Sequence, residues 1–287
     1  MWRRLSGVLA VVVLLGGVAQ GTGWATTAHR AVPAASGPVV TSKPKVYIVF
    51  WGTQWGTSST DSNGNLKFSN DTAGAAGQVQ QMIKGLGTGG ELWSGILTQY
   101  HVPYPTGGGV LARVWYDNAS AAPSAATAAQ IGSEAVKAAG HFGNTTAASN
   151  QYAQYVIFSA KGTNPDHYLT GNFCAWHESN GQVGVFSPYG TIEMTNLPYL
   201  LDRGTSCGEN AVNPGTAGIV DGFTINEGAE YADSATGMEI ATQCGIWTVG
   251  PKGGGPADVT MGNGTYAMPS LWSADTNECE ISHPIVS

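Results

Sequence analysis

Charge is the scarcest resource in this 287-residue chain: Asp, Glu, Lys and Arg make up only 11% of it, against roughly a quarter in an average soluble domain. Cations are the thinner side, 12 Lys plus Arg against 19 Asp plus Glu, for a formal charge of −7. So few cations on an acidic background exclude a protein that tracks nucleic-acid phosphates. Cysteine is absent before Cys174, so no lipid-modified cysteine near the start anchors the chain. The cysteines that follow form no C-x-x-C pair, which speaks against a cysteine zinc site. Long apolar runs are missing as well, since the stretch from Leu5 to Val18 is too short for a membrane span.

That short run has another use. Arg3 and Arg4 precede it, and small residues at Ala19, Gly23 and Ala25 follow, the pattern of a secretory signal peptide over residues 1–25 cleaved near 19 or 25. Losing Arg3 and Arg4 with the leader removes no acid and makes the chain more acidic still. Residues 26–44 are rich in Ala, Thr, Ser and Pro and read as a flexible lead-in, leaving 45–287 as one secreted domain with no stable membrane anchor. In a secreted chain the even set Cys174, Cys207, Cys244 and Cys279 implies bridges. Three pairings are possible. The sequential one, Cys174 with Cys207 and Cys244 with Cys279, closes two loops of similar size and is the expected one.

Lys45 to Trp51, KVYIVFW, is nearly all apolar and rich in β-branched and aromatic residues, as in a strand buried on both faces. Gln54 and Trp55 lie just beyond its end, where sheet proteins place pockets. Helical spacing follows over 73–86 and 91–100, then a strand over 110–116, a helix over 125–139 and a strand over 155–160. This order gives an α/β fold, with α+β as the alternative: a mixed central sheet with covering helices and a disulfide-stapled C-terminal half. Short strands are expected at Val183 to Ser187, Thr191 to Met194, Gly245 to Val249 and Asp258 to Met261. Asn263-Gly264 should make a tight turn.

The scarce acids are not spread evenly. Glu227, Glu230, Asp233 and Glu239 crowd into the stretch from Asp221 to Cys244, on a helix read from about Ala217 to Thr236 and stopped by Gly237. Glu227, Glu230 and Asp233 follow one another at i, i+3 and i+6, on one face. Such a cluster can hold a cation, keep a proton at a raised pKa, or face water. His177, beside Cys174, is a candidate ligand or acid–base group.

Several stretches together, KVYIVFWGTQWG, YVIFSA, FCAWH, TNLPYLL, the acidic helix and ADVTMGNGTYAMPSLWS, resemble a family of secreted, mostly actinobacterial H-E-x-x-E metallopeptidase-like proteins, distantly similar to plant exordium or phosphate-induced proteins. The resemblance spans about Lys45 to Cys279. It implies a zincin-like helix in which a histidine and the second glutamate bind zinc while the middle glutamate activates water. On Gly228-Ala229-Glu230-Tyr231-Ala232-Asp233 this makes Glu230 the base and Asp233 a ligand, with Ala229 in the histidine's place. Glu239 matches a later acidic position, and Thr242 stands where a second acid is expected.

The readings that follow are a secreted zinc-metallopeptidase-like hydrolase with a degenerate site, a non-catalytic binding protein for peptide or glycan, and a metal-independent acid peptidase using paired carboxylates. Glu230 and Glu227 are the catalytic candidates, and Asp233, Glu239 and His177 the metal candidates. Oxygen-rich ligation favours calcium over zinc.

Overall fold

The computed structural model describes residues 43–246 and 254–286. The signal peptide, nearly all of the lead-in and the end of the strand expected at Gly245 to Val249 lie outside them. In chain order the strands are β1 (Lys45–Trp51), β2 (Ser58–Thr60), β3 (Leu66–Phe68), β4 (Leu111–Asp117), β5 (Ala153–Ser159), β6 (Trp176–Ser179), β7 (Glu193–Leu197), β8 (Ala257–Met261), β9 (Gly264–Met268), β10 (Leu271–Ser273) and β11 (Glu278–Glu280). The helices are α1 (Ala75–Gly85), α2 (Trp93–Thr98), α3 (Ala128–Phe142), α4 (Ala147–Asn150) and α5 (Asp221–Thr236).

The central sheet runs β4-β1-β5-β7-β6, parallel except for β6, which lies antiparallel on β7 at one edge. The fold is thus α/β with a mixed sheet. After the exposed Lys45, β1 is apolar because it is paired on both sides and covered on both faces: Ile48 lies opposite Val114 on β4 and Val156 on β5. Its alternation feeds two cores. Val46, Ile48 and Phe50 join the core of α1, α2, α5 and the β8–β9 hairpin, whereas Tyr47, Val49 and Trp51 join that of α3. Burying each such side chain is worth about 1.5–3 kcal/mol. α3 starts on a capping box in which Thr127 accepts from the Gln130 amide and the Gln130 side chain returns to the Thr127 amide.

Residues 183–187 do not form the expected strand. Asn180 closes this stretch into a loop instead, donating its side-chain amide to the Val185 carbonyl while its own carbonyl accepts from Val185. The left-handed Gly184 breaks the extended pattern, and strand pairing moves back to β6. A tight turn joins β8 to β9, but it lies at Gly262-Asn263, one residue before the expected Asn263-Gly264, because Gly264 is already paired with Met261.

The disulfides pair sequentially, Cys174–Cys207 and Cys244–Cys279, with Cα atoms 5.4 and 5.5 Å apart. Two such bridges suit an oxidising, extracellular setting. Among the described residues no helix is long and apolar enough to cross a membrane.

Candidate functional site

α5 is buried along every residue from Asp221 to Asp233, which is unusual for a helix with four acids. Two glycines let the chain close around it. A Cβ on Gly222 would lie 2.1 Å from the Cys207 carbonyl oxygen, and one on Gly228 would lie 2.9 Å from Pro269. Asp221 ties the first turn to the preceding loop by accepting from the Val212 and Asn213 amides. The left-handed Gly237 ends the helix. It begins at Asp221 rather than Ala217, because 215–217 form a separate 3-10 turn.

One face of α5 meets the β6–β7 edge of the sheet. There His177 Nδ1 lies 2.7 Å from Glu230 Oε2, an ion pair whose side chains are 22% and 11% exposed. Burial by itself would lower the pKa of His177, but the bonded Glu230 and the fields of Asp233 and Glu239 outweigh it and lift the imidazole to about 9. Behind Glu230 sits Glu227, fully buried, with no hydrogen-bond partner for either carboxyl oxygen among the described residues. Burial, reinforced by Glu230 and opposed by His177, pushes its pKa far above the usual carboxylate range. Enclosure thus favours the protonated form of Glu227, in which the like-charge repulsion implied by its spacing from Glu230 is relieved.

Asp233, one turn further on, is also lifted by burial, to about 8, against the opposing effects of the Ala241 amide and His177. Its carboxyl group works as a tie: Oδ1 accepts from Ala241 N–H at 2.8 Å and Oδ2 from the Thr242 hydroxyl at 3.2 Å. Thr242, where the resemblance expects an acid, is a donor to one.

These are not the arrangements of a metal centre. Among the described residues no three His, Cys, Asp or Glu side chains are grouped to hold a metal ion, and the expected ligands Asp233, Glu239 and His177 are not gathered into one. His177 Nδ1 is engaged by Glu230, and Ala229 has no donor to offer. The side chains present fit neither zinc nor calcium, and no step below is routed through a metal.

Family models, characterised proteins and solved structures were compared with the chain, and none matches. The site must speak for itself.

Gln54 and Trp55 do not reach it. The Gln54 side-chain amide is bonded in both directions to the backbone of Ala122. Trp55 is packed among Phe50, Phe68 and Phe158 and donates its indole N–H to the Phe158 carbonyl. One site residue escaped the sequence reading. Glu193 on β7 lies opposite Ser179, two pairs along from His177–Thr195 and on the same face of the sheet, and His177 acts on it electrostatically. Burial raises its pKa, with His177 opposing. Only the β6–β7 register places it there, and the strand expected at 183–187 concealed that register. A spacing was also overlooked: Asn226-Glu227-Gly228-Ala229-Glu230 keeps both glutamates of an H-E-x-x-E pattern, with Asn226 in the histidine position. Asn226 donates its side-chain amide to the Gly222 carbonyl within the helix.

Proposed function

We propose that this chain is an exported, peptidase-like hydrolase that moves protons through Glu230 and His177, with Glu227 as the neutral member of a carboxyl pair. The observation that carries this reading is Glu227, an enclosed carboxyl group with no partner among the described residues, one helical turn from the buried, ion-paired Glu230. An unpaired buried polar group costs about 1–3 kcal/mol, and a fold under no functional demand has no reason to keep it. Two neighbouring carboxyl groups that carry one proton between them divide the roles of acid and base. Peptide as the substrate comes from the family resemblance, and export from the leader and the two bridges.

In this mechanism Glu230 accepts a proton from the attacking water as the oxygen bonds to the carbonyl carbon. His177, carrying its proton, donates it to the departing amine as the C–N bond breaks. The donated proton comes from Nε2, since Nδ1 stays bonded to Glu230; Nε2 then takes up a proton from solvent and Glu230 releases its own to solvent, which restores the pair. Glu227 is a positioning residue: its neutrality leaves the Glu230 charge free to pair with His177.

Cleavage of denatured casein and an internally quenched peptide from pH 3 to 9, with and without EDTA, tests this. The expected result is cleavage that EDTA does not reduce, falling about 100-fold or more in Glu230→Gln and His177→Ala and shifting its pH profile in Glu227→Gln. Cleavage abolished by EDTA and restored by zinc would overturn it. A second reading, a non-catalytic extracellular protein that binds peptide or glycan, draws on Phe186, which stands 85% exposed in the loop closed by Asn180. No cleavage at any pH would favour that reading.

A further inference from the structure

We infer that Lys137 and Asp117 join in an intramolecular amide, an isopeptide bond between α3 and the end of β4, with Glu134 relaying the protons. The three residues lie on the side of the sheet that α3 covers, away from α5, so the inference does not depend on the function proposed above.

Lys137 Nζ is in contact with Asp117 Oδ2 and lies 3.4 Å from Glu134 Oε2. Both acid side chains are only 5% exposed, and Glu134 Oε1 has no hydrogen-bond partner among the described residues. An ion pair needs one carboxyl group, yet two are enclosed around this amine, the second with an idle oxygen. Burial and the adjoining Asp117 lift Glu134 to about 8, against Lys137, which favours its protonated form. The Trp115 ring covers Nζ at 5.2 Å, while the half-exposed lysine stem leaves water a way out. A nucleophile, a carboxyl carbon and an acid–base relay are thus held together by two packed elements, as amide condensation requires. The Lys137 ammonium first passes a proton to Asp117, leaving a neutral amine against a neutral carboxyl group. Nζ then bonds to Asp117 Cγ, and Glu134 gives its proton to the carbonyl oxygen while taking one from Nζ. In the collapse the C–O bond breaks, Glu134 protonates the departing hydroxyl, and the remaining oxygen returns a proton to Glu134. One C–N bond replaces one C–O bond, one water leaves, and Glu134 ends as it began. Lys84 offers a contrast: it reaches the Asn65 side-chain oxygen, but the neighbouring acid, Asp61, already uses both oxygens on the amides of Asn63 and Asn65. Closure of the 117–137 loop would constrain the unfolded chain as a disulfide does, in the half of the molecule that has no cysteine.

Mass spectrometry of the purified protein, fresh and after prolonged storage at neutral pH, reads the bond. With its amino terminus and both disulfides accounted for, the chain should be lighter than its sequence by one water. After reduction and denaturation, trypsin should cut at Lys84 but not at Lys137, because an acylated lysine has lost its charge, and should release 114–161 as one looped peptide. Lys137→Arg keeps a cation for Asp117 but cannot condense, and Glu134→Gln removes the relay. Both variants should therefore carry the full mass, and Lys137→Arg should melt at a lower temperature than the closed chain. A wild-type chain of full mass that releases 114–137 would overturn the inference, as would a water still missing from Lys137→Arg. A bond that forms undiminished in Glu134→Gln would overturn the role given to Glu134.

Discussion

At the scale of single residues, the site depends on how three neighbouring groups divide two protons. The bonded Glu230 favours the charged form of His177, and burial without a partner favours the neutral form of Glu227. Replacing Glu230 by Gln removes the hydrogen-bonded charge that outweighs the burial of His177. The imidazole titration in Glu230→Gln should therefore fall from about 9 to below its ordinary value near 6.5, with burial left as the dominant influence. A histidine-resolved NMR titration of the two proteins reads this directly. An unchanged midpoint would mean that the ion pair does not set the charge of His177. The acids of this helix were legible in the sequence because charge is so rare in the chain. Their division of labour was not, since the partner that separates Glu230 from Glu227 arrives from a strand about fifty residues earlier. Asp233 misled for a related reason. Its spacing put it on the acidic face, whereas its oxygens are used to tie Ala241 and Thr242 to the helix.

At the scale of elements, α5 can be buried on all sides only because glycine stands wherever another segment crosses it. The two crossings differ in kind. At Gly222 a Cβ would meet the carbonyl of Cys207, a backbone atom of a disulfide-held turn, at 2.1 Å. At Gly228 it would meet the ring of Pro269 and the end of the Met268 side chain at 2.9 and 3.0 Å. A methionine end can swing aside at little cost, and a bridged backbone cannot. Gly222→Ala should therefore destabilise the protein by about 3 kcal/mol and Gly228→Ala by about 1 kcal/mol, read as shifts in the urea midpoint at constant slope. The reverse order would show that the Cys207 turn yields more readily than the β9–β10 segment. Elements with a strong internal pattern, β1, β5, α1 and α3, were legible from their residues alone. β6 was not. Trp176 to Ser179 alternates no more clearly than 183–187, and only the loop closed by Asn180 decides which of them pairs with β7.

For the whole molecule, the buried acids set how stability depends on pH. Glu227, Asp233, Glu193 and Glu134 all have raised pKa values, burial being the leading cause in each, and Asp233 and Glu134 reach about 8. His177 is raised as well, to about 9. In every case the folded chain keeps a proton that the unfolded chain releases, near pH 4 for the acids and near 6.5 for the histidine. Their contribution is complete below those unfolded values and is lost as pH rises through the folded ones. Asp117 and Asp61 act in the opposite sense. Lys137 lowers the first despite burial, and the Asn65 amide leads in lowering the second, so both lose stabilisation as pH falls below the ordinary carboxylate range. The raised groups outnumber these and lie deeper. Stability should therefore peak on the acid side, near pH 5, and fall steadily to pH 9, whereas a typical globular domain holds its maximum between about 5 and 8. Thermal unfolding at half-unit steps from pH 4 to 9 measures this, and Glu227→Gln should flatten the decline because the amide has no proton to lose. A melting temperature that rises between pH 5 and 8 would mean that these carboxyl groups are ionised in the folded chain. The charge assignments of the whole site would then fail with it.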